Sequence, residues 1–175
     1  FIDFLKKHRI KKLGFEGRST TVQRYKKLKK MTRGILLVDV SDELDKKRII
    51  KKKHELDCII RAQNITDKIL IILKKWLKQG VTEKDIEWEI TKIAHELGAE
   101  SLSFIPIVAI NENSASPHHK NSDKKLKRGD VILIDMGVKI NGYCSDMSRM
   151  IFTAEPTKEQ RTVYELVLKA QKTAI

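Results

Sequence analysis

Cysteine is almost missing from this chain of 175 residues: Cys58 and Cys144 are its only two. They make no metal-binding or redox spacing, so a disulfide framework is excluded and a reduced, cytoplasmic setting is expected. Long apolar runs are missing too. Ile69–Leu73 and Val131–Ile134 are far too short to span a bilayer, which leaves no membrane partner to expect. No secretory leader is legible at the start, where a mixed helical pattern stands instead. The chain begins at Phe1 and stops inside its last helical pattern, so a longer gene product is expected on both sides.

Acidic residues are scarce in one half only. Residues 1–80 hold 23 Lys and Arg against 9 Asp and Glu, whereas residues 81–175 hold 13 against 14. Such a basic front invites a nucleic-acid reading through phosphate contacts. Yet aromatics make up 6% of the chain and hardly interleave with the lysines, so base stacking has little to work with. A solvated lysine-rich surface is the simpler account, and nucleic acid is not the expected partner.

What is there is 41% hydrophobic and 34% charged, an ordinary globular balance. The first forty residues read α-β-α-β: helices over Phe1–His8 and Thr21–Lys30, a short run at Lys12–Phe15 and a buried-strand run at Gly34–Val40. Ser41 is expected to cap one long helix with a buried stripe through Cys58, Ala62, Ile65, Ile69, Ile72, Leu73 and Trp76. Thr82 and Asp85 resemble a capping box for a second helix that Gly98 stops. Phe104–Ile110 is a strand candidate interrupted by Pro106, and Asn111–Asp123 is polar and loop-like. Val131–Val138 and Tyr143–Phe152 form two strands about an Asn141-Gly142 turn. Thr157 with Gln160 opens the last helix.

That hairpin carries the chemistry. With its turn centred between Ile140 and Asn141, Asp135 is expected to face Asp146 directly, their Cβ atoms ~5 Å apart. Asp135 interrupts the apolar run Val131-Ile132-Leu133-Ile134, so its carboxylate is expected to be largely buried. Two desolvated carboxylates there need a shared proton, a cation between them or a basic side chain. A divalent metal suits such oxygen donors. Pattern alone leaves open a register displaced by a residue or two, with one Asp at a turn and the other exposed.

The segments Val131-Ile132-Leu133-Ile134-Asp135-Met136-Gly137 and Gly142-Tyr143-Cys144-Ser145-Asp146-Met147-Ser148-Arg149 resemble the paired metal-ligand segment of the pita-bread metallopeptidases, the creatinase and aminopeptidase family. Ahead of them, Asn113-Ser114-Ala115-Ser116-Pro117-His118-His119 and Gly129-Asp130 resemble its Xaa-Pro aminopeptidase and prolidase branch. The resemblance implies an α/β (α+β) fold: the tail of a creatinase-type N-terminal domain over residues 1–41, then over 42–175 the first half of a pita-bread domain, helices on a curved antiparallel sheet. It implies two divalent ions, manganese foremost, with cobalt and zinc as alternatives. Two Asp, one His and two Glu hold them, and a metal-activated hydroxide cleaves the bond between an N-terminal residue and proline.

Asp135 and Asp146 would be the metal ligands and His118 would contact substrate; no residue is named as catalytic. The His and the two Glu are not recognisable here, so the chain alone is expected to be inactive and to expose an apolar face. Proline-containing peptides are the expected substrates and a homodimer the expected assembly. Arg149 would make a structural salt bridge. Ser148 and Met150 stand where the family has threonines, and Asn111 where a Gly is usual. Creatinase-type hydrolysis of an amidine bond remains open within the family. A non-catalytic module binding peptides or nucleic acid on the same fold is the alternative.

Overall fold

The computed structural model describes residues 1–175, which divide into two compact units, Phe1–Lys52 and Lys53–Ile175. The sequence reading put the division at residue 41. In the first unit α1 (Ile2–Lys7) is followed by β1 (Lys12–Phe15), α2 (Val22–Met31), β2 (Leu36–Asp39) and α3 (Ser41–Ile49). β1 and β2 pair in parallel, joined through α2, whose first turn is capped by the Thr21 hydroxyl accepting from the Arg24 N–H. β2 is not the buried strand expected: Leu36 is 57% and Val38 37% exposed. With only one neighbouring strand, it has little to bury against.

One long helix from Ser41 does not form either. Ser41 is the first helical residue and the cap position falls on Val40, which has no side-chain cap. Ahead of it, Asp39 Oδ1 accepts from the Ser41 hydroxyl at 2.6 Å, the Ser41 N–H at 3.0 Å and the Gly17 N–H at 3.0 Å. The Ser41 hydroxyl above all, with these two N–H groups, holds the Asp39 carboxyl below its ordinary range. The helix then breaks where Ile50 turns to extended backbone, ahead of Lys51-Lys52-Lys53.

In the second unit α4 (Lys53–Trp76) and α5 (Glu83–Glu96) precede β3 (Ser101–Leu102) and β4 (Ile107–Ile110). A 3₁₀ turn at Asn111–Ala115 follows, then β5 (Val131–Met136), β6 (Val138–Ile140), β7 (Tyr143–Cys144), β8 (Met147–Phe152) and α6 (Lys158–Ala174). All pairings are antiparallel, in the orders β4-β5-β8 and β3-β6-β7, and Gly137 alone separates β5 from β6.

The two-fold alternation of a strand decides which side carries what. Ile132, Ile134, Met136, Val138 and Ile140 are buried against Ala62, Ile69 and Leu73 of α4 and Ile86, Ile90 and Ile93 of α5. Burying each such side chain is worth roughly 1.5–3 kcal/mol, and this layer is the core. Val131, Leu133 and Asp135 alternate with them and are only half-buried. Both expected capping boxes form, Thr82 with Asp85 and Thr157 with Gln160. β4 starts directly after Pro106, whose ring lacks the N–H a ladder needs.

Candidate metal and substrate site

The hairpin turn sits one residue later than expected. Asn141 and Gly142 both take left-handed backbone, φ +50° and +84°. Two such residues make the tight turn whose twist matches antiparallel strands. The turn is therefore centred between them, Ile140 faces Tyr143, and Asp135 faces Ser148 rather than Asp146. A directly opposed carboxylate pair does not form.

The two-residue slip nevertheless keeps both acids on one side, because strand side chains alternate with period two. Burial follows that period: Ser145 and Met147 are buried, Asp146 and Ser148 exposed. The Ser148 hydroxyl donates to Asp135 Oδ1 at 2.8 Å, which fixes Asp135 and Ser148 on a common face. Asp146 lies in the two-residue link between β7 and β8, two residues before Ser148. The alternation of burial carried through that link puts it diagonal to Asp135. Asp135 is half-buried rather than deeply buried, and Asp146 is in solvent. Mutual repulsion of desolvated charges therefore does not compel a cation here. The site rests instead on placement and on donor chemistry.

Local anchoring shapes the segment that carries Asp146. The buried Ser145 hydroxyl lies 2.7 Å from the Thr66 hydroxyl of α4 and accepts from the Val138 N–H at 3.0 Å. The Ser145 carbonyl meanwhile turns to accept from the Ser103 hydroxyl at 2.8 Å. It comes so close to Gly137 that a Cβ there would lie 1.9 Å from the oxygen. Only glycine fits. Next along, the Tyr143 hydroxyl donates to Glu55 of α4 at 2.7 Å, and that carboxylate pushes the phenol pKa up.

His118 is exposed in the long connection between β4 and β5. Its neighbour His119, set aside in the sequence, is the bonded one: Nε2 lies 2.8 Å from Glu83 Oε2. Glu83, at the start of α5, was missed altogether. Only its spacing, one residue past the Thr82 cap, could have hinted that it points inward.

Glu83 is 0% exposed. Its burial alone would raise its pKa, and this is the largest single influence. Hydrogen bonds from His119, Asn113, Ser122 and the Ile110 N–H together outweigh it and hold the carboxyl at about 2. Asn111 stands in left-handed backbone at φ +51°, a conformation that asparagine tolerates better than most side chains. Its amide bridges Asp130 and the Val131 N–H. Arg149 finds no carboxylate; its guanidinium donates to the Ser148 carbonyl, so the expected salt bridge is absent.

The donor set fits a divalent cation. Asp146 accepts no hydrogen bond and Asp135 only the one from Ser148, and neither pairs with a lysine or arginine. Carboxylate oxygens of this kind are donors that hard divalent ions accept. No group of three or more His, Cys, Asp or Glu side chains is gathered anywhere in the chain.

Comparison with known proteins follows the same lines. Residues 57–175 match Metallopeptidase family M24, and residues 1–50 match the creatinase/prolidase N-terminal domain. An uncharacterized peptidase of Staphylococcus aureus is 36% identical over 166 residues, 95% of this chain and 47% of its own length. The Xaa-Pro dipeptidase of Pyrococcus furiosus is 37% identical over 136 residues, 78% of this chain and 39% of its own. Among solved structures, an X-Pro aminopeptidase from Thermotoga maritima superposes with a TM-score of 0.91 at 30% identity, covering 98% of this chain and 49% of that one. The chain thus spans about half the length of the relatives it matches. No helix is long and apolar enough to cross a membrane.

Proposed function

Since the chain belongs to metallopeptidase family M24, we propose that it contributes to metal-dependent hydrolysis of the peptide bond between an N-terminal residue and proline. What supports this reading is the alternation of burial that puts Asp135 and Asp146, two carboxylates free of basic partners, on the face turned away from the core packed by α4 and α5. The Xaa-Pro dipeptidase and X-Pro aminopeptidase among its relatives support the substrate class.

Asp135 and Asp146 would hold divalent ions, manganese foremost, with cobalt or zinc able to replace it. When bound, such ions supply Lewis acidity at the scissile carbonyl and activate water. The protein's own part is positional. Ser148 fixes the Asp135 carboxylate through Oδ1. The Ser145 anchor and the turn of its carbonyl toward Gly137 hold the link that carries Asp146. His118, exposed on its loop, contacts the substrate. The family's His and two Glu are required in addition, so hydrolysis needs ligands from outside these residues. A homodimer in a cytoplasmic setting belongs to the same reading.

The test is cleavage of an Xaa-Pro dipeptide with manganese, by this chain alone and by the chain co-expressed with a segment supplying the His and two Glu. Activity is expected only in the second case and is expected to vanish with Asp135→Asn. Cleavage that survives Asp135→Asn unchanged would sink the proposal.

A further inference from the structure

α5 carries two carboxylates one helical turn apart, Glu83 and Glu87, and both serve the connection between β4 and β5. Glu83 accepts five hydrogen bonds, all from residues between Ile110 and Ser122. Oε1 takes the Ile110 N–H and Asn113 Nδ2, each at 2.8 Å. Oε2 takes His119 Nε2 at 2.8 Å, the Ser122 N–H at 2.9 Å and the Ser122 hydroxyl at 2.7 Å. His118 lies between the two sets, so one buried carboxylate ties down the chain on both sides of it.

Glu87 extends the clamp. Its Oε2 accepts from Asn121 Nδ2 at 2.6 Å. Asn121 in turn accepts from the Val108 N–H and donates to the Pro106 carbonyl, both at 2.8 Å. Those two backbone groups flank Ile107, the residue that pairs with Asp135. The segment carrying His118 therefore folds back along the free edge of β4 and reaches the level of Asp135, one strand away.

We infer that Glu83 is a positioning residue: its carboxylate holds the Ile110–Ser122 connection so that His118 is presented beside the face bearing Asp135 and Asp146. This rests on the reading of His118 as a substrate contact. The charge matters as well as the shape. All five partners are donors, and a glutamine in the same place would turn an NH₂ group toward at least two of them, leaving buried donors without acceptors. Its five bonds go to the end of β4 and to the connection that follows it, none to its own helix.

The experiment is NMR of the whole chain with labelled histidine, comparing the natural protein with Glu83→Gln. The natural protein is expected to show His118 ring resonances dispersed from free histidine, with contacts to the β4 edge. In Glu83→Gln those contacts are expected to be lost and the His118 signals to move to free-histidine positions. The Ile110 and Ser122 amides should exchange at least about tenfold faster, while the methyl shifts of Ile90 and Ile134 hold. If Glu83→Gln does not fold, Ser122→Ala, which removes one of the five bonds, is read by the same signals and should shift them in the same direction. A folded variant with a lowered melting temperature but unchanged His118 signals overturns the inference. Neither metal nor peptide enters the measurement, so that failure would leave the metallopeptidase reading standing, and loss of the metallopeptidase reading would not by itself move these signals.

Discussion

Glu83 shows what a single residue decides here. Its carboxyl titrates near 2 when folded, against an ordinary value of about 4.5 in the unfolded chain. The unfolded state thus binds the proton first. The stabilisation is fully present above about pH 4.5 and is lost as pH falls toward 2, an effect of roughly 3 kcal/mol for a group with no exposed surface. Urea unfolding of the natural chain and Glu83→Gln should therefore differ most near neutral pH, with the gap closing below about pH 4.5. A gap independent of pH would mean that the charge is not what the loop is built on. The sequence could not show this, because a glutamate beside a helix cap ordinarily favours the helix dipole and faces water. Burial was set by loop residues far along the chain, beyond the reach of local pattern.

At the scale of elements, the hairpin was legible in outline and misread in register. The Asn141-Gly142 pair announces a turn, and the apolar alternation of Val131–Met136 announces the buried face. What the sequence reading lacked was the φ of Asn141: with both turn residues left-handed, the centre moves by one position and the pairing sum by two. Facing acids became diagonal ones, although period-two alternation kept them on one side. The single long helix from Ser41 failed for a similar reason, since periodicity does not see the extended backbone at Ile50.

The break between β5 and β6 gives this scale its prediction. Gly137→Ala would put a methyl group 1.9 Å from the Ser145 carbonyl oxygen, so the Ser145-Asp146 link between β7 and β8 must move. Such overpacking against backbone costs about 1–3 kcal/mol or more. Chemical denaturation should show that loss, together with amide shifts concentrated at Ser145 and Asp146. A variant as stable as the natural chain with those amides unmoved would contradict the close approach.

At the scale of the whole molecule, the motif pointed to the family, and the basic front half added nothing to that assignment. Most of its charge lies in the unit that matches the creatinase/prolidase N-terminal domain, where Arg18 and Arg48 already pair with Asp42, Asp45 and Glu16. Asp135 and Asp146 lie in the other unit, which carries the match to Metallopeptidase family M24. Fold and family were legible because Asp135, Asp146 and their flanking glycines and serines together resemble one family motif; the depth of each acid was not, since exposure depends on what else covers that face.

The proposed chemistry depends on Asp135 and Asp146 together attracting a divalent ion. Titration of the ¹⁵N-labelled chain with manganese, read as paramagnetic line broadening, tests it directly, because even weak occupancy bleaches nearby amides. Broadening is expected to centre on Asp135, Asp146 and Ser148 and to disappear in Asp135→Asn. Broadening spread over other acidic residues, or left unchanged by that substitution, would contradict the account.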